Sequence, residues 1–383
     1  MTLFPRSEPA KNDDMQDRDN NKGKERYSMS RFFSEKYSEL EPYVPGEQPG
    51  KDQRLIKLNT NENPYPPLPE VTEAVAEESR LLHLYSDTDS RELRDMLAKR
   101  LSVSAEELIM TNGSDEILNF AFMAFCDSHT PAVFPDVTYG FYPVFAKISQ
   151  VPYREIPVKE DLSTDIRDYF GAAGTIFLAN PNAPTALALQ KDGIEEVLKH
   201  NPDHIVVVDE AYVDFGTESV LPLIRDYDNL LVTRTFSKSR SMAGARLGFG
   251  IANPELIRDL NAVRNSTNPY NVNRLTSAAG VACLKQDEYN IRNCEIIMET
   301  RGIYGQKLRE LGFEMTDSRT NFFFARHPAI SGRDLYLELK KRGILVRHFD
   351  QERIRDYNRI TVGTPEQMEK LTETIKQILE EKS

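Results

Sequence analysis

Ile205 to Val208 are four unbroken apolar residues, followed at once by Asp209-Glu210-Ala211-Tyr212. A short β-branched run with polar bounds predicts a strand buried on both faces. Thr175 to Ala179 has the same form and ends in Asn180-Pro181-Asn182-Ala183-Pro184-Thr185, and Leu230 to Thr233 ends in a loop carrying Lys238. From Ala132 onward such strands alternate with helical patterns, which predicts an α/β fold around a largely parallel sheet. The polar strand ends would then face one cleft.

Helices are expected over Ser28 to Leu40, Glu70 to Leu82 and Ser90 to Leu101, and from Ser114 through Phe122. The segment Leu55 to Leu58 reads as a short strand before an Asn/Pro-rich loop in which adjacent prolines forbid a helix. Beyond Tyr270 the pattern changes to a long helical region (Leu275 to Leu311), a helix over Asp334 to Arg342, and strands at Ile344 to Arg347 and Arg359 to Val362. A capping signal at Thr364 opens a last helix, with Glu380 to Ser383 a frayed end. The expected organisation is a disordered tail (1–28), an N-terminal arm contributing to a small domain (29–75), a large domain (76–270) and a small α+β domain (271–383). The tail has six acidic and six basic side chains among its first 27 residues, too little apolar surface to order itself.

A net charge of −12 without a long basic block argues against nucleic acid or an anionic membrane as partner. The three cysteines are scattered and the six histidines stand apart, so neither a disulfide framework nor a metal site is expected. No run is long and apolar enough for a spanning helix, and the N-terminus lacks a signal core, so a cytoplasmic location is the expectation.

Asp209 emerges from the buried end of a strand, where a charge needs a cationic partner. Gly113-Ser114-Asp115 opens a helix, whose free N–H groups and dipole suit a phosphate, although Ser114 could equally be a plain N-cap. Lys238 lies among Thr235, Ser237 and Ser239 with Arg246 beyond. Together an acid, an amine, a tyrosine at Tyr212 and an anion site describe a pocket for pyridoxal phosphate. In it Lys238 holds the aldehyde, Asp209 keeps the ring nitrogen protonated, Tyr212 bonds the ring's 3-oxygen and Tyr139 stacks on its face.

These residues, with YVPG at Tyr43, KLNTNENPYP at Lys57, TNGSDE at Thr111, NPNAPT at Asn180, DEAYVDF at Asp209, TFSKS…AGARLG at Thr235 and RITVGT at Arg359, resemble the fold-type I pyridoxal-phosphate aminotransferases, class II subgroup. Within that subgroup they resemble the histidinol-phosphate aminotransferases in particular. The resemblance implies a large cofactor domain and a smaller α+β domain, with Lys238 as the covalent anchor and proton carrier. It implies a phosphate cradle of Gly113, Ser114, Asp115, Thr235, Ser237 and Arg246. It further implies a homodimer in which Tyr85 reaches the neighbouring subunit's cofactor. The substrate side is Tyr43, Asn61, Tyr270, Asn321, Arg347 and Arg359, the arginines clamping the phosphate of histidinol phosphate or a carboxylate of 2-oxoglutarate and glutamate.

Two places depart from the family pattern. Ala183 stands where relatives carry the asparagine that touches the 3-oxygen, which leaves Asn182 as the expected substitute donor, and Ser239-Arg240-Ser241-Met242 is less apolar than usual. Threonine-phosphate decarboxylases and aromatic aminotransferases share the fold and nearly the same cleft; the YVPG and NTNENPYP segments favour histidinol phosphate as substrate, with those two activities as the alternative. A ligand-sensing transcription regulator is a reading of another class, but the tail carries no helix-turn-helix pattern to support it.

Overall fold

The computed structural model describes residues 30–38, 40–50 and 55–382; the expected tail, residues 1–28, and Ser383 lie outside the described residues. The chain divides into two compact units, Met1–Leu40 and Glu41–Ser383. The described part of the first holds one 3-10 turn, Glu35–Tyr37, in place of the expected helix from Ser28 to Leu40. None of the turn's residues is buried, and a short helix without a packed face is marginal in water.

The second unit opens with β1 (Ile56–Lys57), α1 (Pro69–Glu78) and α2 (Arg91–Leu101). There follow β2 (Leu108–Thr111), α3 (Ser114–Phe125), β3 (Ala132–Pro135), α4 (Tyr142–Ser149), β4 (Tyr153–Ile156) and β5 (Thr175–Ala179). Then come α5 (Lys191–Lys199), β6 (Val206–Asp209), β7 (Leu230–Thr235), β8 (Gly248–Ile251) and α6 (Pro254–Thr267). These strands form one sheet in the order β2-β8-β7-β6-β5-β3-β4, parallel except for β8, which runs antiparallel to both its neighbours.

The central strands are buried on both faces, which is why β5 and β6 read as continuous apolar runs, while the edge strand β4 is mostly exposed. Val206, Val208, Leu230 and Val232 pack on one side with Leu93 and Leu97 of α2 and Ile194 and Val197 of α5. Val207, Leu231 and Phe177 point the other way, against Ile117 and Phe120 of α3, Phe145 of α4 and Leu260 of α6. Gly248 lets β8 lie against α3: a Cβ there would stand 2.4 Å from the carbonyl carbon of Gly113 and 2.5 Å from the nitrogen of Ser114.

The remaining elements are α7 (Arg274–Lys285), α8 (Asp287–Glu310), β9 (Glu314–Met315), β10 (Phe322–Arg326), α9 (Gly332–Lys341), β11 (Ile344–Leu345), β12 (Arg347–His348), β13 (Asn358–Thr361) and α10 (Pro365–Lys382). The expected long helix is thus two, broken at Gln286. The expected strand from Ile344 to Arg347 is also two: β11 pairs in parallel with β1, and β12 joins the antiparallel sheet β12-β13-β10-β9. Leu58 is buried here with Phe322, Ile344, Ile360, Met368 and Ile375. The C-terminus does not fray after Glu380; α10 runs on to Lys382, and Glu381 pairs with Arg342 at 2.6 Å.

Candidate active site

The carboxyl ends of β5, β6 and β7 and the N-terminus of α3 meet in a cleft of about 550 Å³ of atom-free space, part of it open to solvent. Asp209, Tyr212, Lys238, Tyr139, Ser114, Asp115, Thr235, Ser237 and Arg246 all line it, as the strand-end pattern predicts.

One end is built for an anion. Gly113, at φ 80, turns the chain into α3 and leaves the first N–H groups of that helix free beside the Arg246 guanidinium. Arg246 Nη1 donates to Ser237 Oγ at 3.3 Å, and the Thr235 hydroxyl donates to the same oxygen at 2.9 Å. Asp115 plays a supporting part: its carboxylate pairs with Arg246 Nη2 at 2.9 Å and accepts from the Tyr139 hydroxyl at 2.6 Å.

The other end holds a buried acid. Asp209 is 5 % exposed and accepts from the Thr233 hydroxyl at 3.0 Å and the Ala211 N–H at 3.2 Å. No lysine or arginine among the described residues pairs with it, and burial pushes its carboxyl up to about 7. The next residue shows the contrast. Glu210 is equally buried but pairs with Arg234 at 2.8 Å. A lone buried carboxyl facing a cleft therefore asks for a cation from outside, as the protonated nitrogen of a pyridine ring would be. With an anion seat opposite and a lysine between, these residues fit pyridoxal phosphate.

A model of the aminotransferase class I and II family matches residues 53–375 of the chain. The chain belongs to that family. It is 46% identical over 351 residues to histidinol-phosphate aminotransferase 1 of Bradyrhizobium diazoefficiens, covering 92% of this chain and 100% of that one. It is 47% identical over 354 residues to the histidinol-phosphate aminotransferase of Acinetobacter baumannii, covering 91% and 98%. Among solved structures, a putative histidinol-phosphate aminotransferase from Erwinia carotovora superposes with a TM-score of 0.80 at 26% identity, over 85% of this chain and 96% of that one. The histidinol-phosphate aminotransferase of Sinorhizobium meliloti, solved with pyridoxal-5'-phosphate, has the same fold, with a TM-score of 0.82 at 23% identity over 92% and 99% of the two chains.

Beside the cleft, this aminotransferase gathers a second polar group around Asn61. Its backbone is left-handed (φ 58), its Nδ2 donates to the Tyr212 hydroxyl at 2.8 Å, and its carbonyl accepts from Asn321 Nδ2 at 3.0 Å. Asn321 leaves its Oδ1 without a partner among the described residues. Arg359 donates to the Asn59 carbonyl at 3.1 Å, but among the described residues it has no carboxylate partner and its buried Nε is unpaired. Burial pulls its guanidinium below its usual range, while the nearby Tyr212 and Tyr43 act the other way. Arg347 donates to the carbonyls of Val44 and Pro45, and Tyr43 stacks on Phe141 at 4.1 Å.

Three expected residues stand apart. Asn182 is not on the cleft wall: its amide donates to Val137 O and Thr185 Oγ1 and accepts from Thr138, which spends its hydrogen bonds within the loop. Pro181 and Ala183 face the cleft instead, so the turn does not rotate to present Asn182. Tyr85 and Tyr270 are exposed and stack on each other at 4.4 Å, and Arg274 donates to the carbonyls of Leu84 and Tyr85.

Asn63 and Thr60 went unnoticed as site residues. Asn63 Nδ2 donates to the carbonyls of Lys238 and Ser239, and the Thr60 carbonyl accepts from Lys238 Nζ at 3.2 Å. Only their place in the Asn-rich run hinted at this, since backbone contacts across some 175 residues leave no local signature.

Proposed function

We propose that this aminotransferase carries pyridoxal phosphate on Lys238 and moves an amino group between L-histidinol phosphate and 2-oxoglutarate in histidine biosynthesis. The names of its relatives support the reading. The observation that carries it is the pair Arg347 and Arg359, two guanidiniums on the substrate side that among the described residues bond backbone carbonyls and pair with no carboxylate, as a phosphate monoester or a dicarboxylate requires.

Gly113, Ser114, Thr235, Ser237 and Arg246 would hold the cofactor's phosphate, with Asp115 fixing Arg246 and Tyr139. Tyr139 would cover the ring, and Tyr212, oriented by Asn61, would donate to its 3-oxygen. Asp209 holds the proton on the ring nitrogen; the bound ring supplies an electron sink for the pair left when the substrate's Cα loses its proton. Lys238 Nζ, once freed by substrate, would take that proton from Cα and deliver it to the cofactor carbon that had been its aldehyde, with the Thr60 carbonyl steering the amine. Arg359 clamps the anion common to both substrates, and Arg347, Tyr43, Asn61 and Asn321 complete that side.

Further parts of the reading are a homodimer, in which Tyr85 and Tyr270 serve the neighbouring chain's cleft, and a cytoplasmic location. Among the described residues no helix is long and apolar enough to cross a membrane. The cleft would belong to the large domain (76–270), which bears all its lining residues, with a smaller domain drawn from 271–383 beside it. A steady-state assay with 2-oxoglutarate and histidinol phosphate, threonine phosphate or phenylalanine tests the substrate. Histidinol phosphate is expected to give the highest kcat/KM, and no transamination of it would end the proposal.

A further inference from the structure

Arg240 has no part in the chemistry above, yet it lies in the stretch Ser239 to Met242 that follows Lys238 and is the charged residue there. Its side chain is 12% exposed and runs away from the cleft to the start of α8. There its Nε stands 3.1 Å from Asp287 Oδ1 and its Nη2 donates to Asp287 Oδ2 at 3.3 Å. Asp287 is itself buried, at 3%, and also pairs with Arg100. Arg240 Nη1 lies 3.4 Å from Asp214, a residue of the DEAYVDF stretch, and Asp214 accepts from the Ser239 hydroxyl as well. The Phe236 ring lies 5.2 Å beneath the guanidinium. Burial works against the Arg240 charge, but Asp214 and Asp287 outweigh it and raise its pKa.

The backbone is held at the same place. Asn63 donates to the carbonyls of Lys238 and Ser239, and the thiols of Cys294 and Cys283 stand 3.9 Å from the carbonyls of Ser239 and Arg240. Ser241, the next residue, is left-handed at φ 56, a conformation that a non-glycine residue keeps only where its surroundings determine it. Lys238 reaches the cleft on a flexible four-carbon stem, so the direction of its Cα–Cβ bond depends on how firmly residues 239–241 are anchored.

We propose that Arg240, through Asp214 and Asp287, is a positioning residue for Lys238. It fixes the peptide behind the lysine against α8 and the Asp209 loop, so that the freed amine stays aligned with the substrate's Cα. This rests on the reading of Lys238 as the cofactor anchor. A group that acts by alignment affects the rate of proton movement and leaves the affinity for substrate largely alone.

The test is rapid mixing of holoenzyme with L-glutamate, following the loss of the bound cofactor's visible absorbance. Arg240→Gln is expected to slow the limiting rate by about 10- to 100-fold, the scale of a small misalignment of reacting groups. The half-saturating glutamate concentration should stay within about twofold. Arg240→Lys should recover part of the rate, Asp214→Asn should slow it, and the double variant should be no slower than Arg240→Gln. Limiting rates within about twofold of wild type in Arg240→Gln and Asp214→Asn, whatever their melting temperatures, would overturn the proposal. If Arg240→Gln does not fold, Asp214→Asn and Ser239→Ala decide by the same criterion. Borohydride reduction of the wild-type holoenzyme separates the two readings. A fixed cofactor on a residue other than Lys238 overturns both, whereas one on Lys238 with unchanged variant rates overturns this one alone.

Discussion

Arg347 and Arg359 stand directly opposite each other across β12 and β13, and both guanidiniums approach the ring of Phe349, at 5.7 and 5.8 Å. Like charges at facing positions of an antiparallel pair repel, and no carboxylate among the described residues lies between them. An anion is the natural third member. Arg359→Gln is expected to raise KM for histidinol phosphate and for 2-oxoglutarate by about 10- to 100-fold each, as loss of a charge-assisted contact would. Arg359→Lys should restore little, because an ammonium cannot bind both oxygens of a planar fork. Steady-state kinetics on both substrates would show it.

Asp209 ties cofactor loss to pH. Its folded carboxyl is raised to about 7 from an ordinary 3.8 by burial, so the cofactor-free native state binds more protons than the unfolded one between those values. Stability contributed by this group is full below the unfolded value and falls as pH rises through the folded one, by up to about 4 kcal/mol in all. Asp209→Asn should remove this dependence. In cofactor-free protein its melting temperature should exceed wild type at pH 8, with the gap closing toward pH 4. The same variant as holoenzyme should lose about 100- to 1000-fold in kcat, as for other buried electrostatic partners. A gap that does not change with pH would contradict the account.

Gly248→Ala places a methyl against the Gly113–Ser114 peptide, 2.4 Å from a backbone carbon that no side-chain rotation can move. The turn into α3 must shift and the phosphate seat with it. We expect the apparent Kd for pyridoxal phosphate, measured by absorbance titration, to rise about tenfold or more, alongside about 1–3 kcal/mol of lost stability.

Tyr85 is 80% exposed and is not among the residues lining its own cleft, which its proposed work in a neighbouring chain explains. Lys238→Ala and Tyr85→Ala proteins should each have low activity. Unfolded and refolded together, they should regain about a quarter of wild-type activity, because half the dimers form mixed pairs with one intact site. No recovery in the mixture would contradict a shared site.

The central strands were legible because burial on both faces writes an unbroken apolar run, and their polar ends named Asp209, Lys238 and Tyr212 together. Periodicity could not show β8, whose glycines serve the approach to α3, nor the break at Gln286 between α7 and α8. It also missed the change of sheet at Val346, where the chain passes from β1's partner to β13's. Asn182 was misplaced because a residue type one position off cannot reveal that Val137, Thr138 and Thr185 already engage its amide. Asn63 and Arg240 act on backbone and on acids far along the chain, and only three-dimensional contact discloses such work.

The most direct measurement is borohydride reduction of the holoenzyme followed by peptide mass analysis. The account predicts one pyridoxyl phosphate group on the peptide containing Lys238, in wild-type protein and in Asp209→Asn, and none in Lys238→Ala. A reduced cofactor on any other lysine, or full labelling of Lys238→Ala, would contradict it.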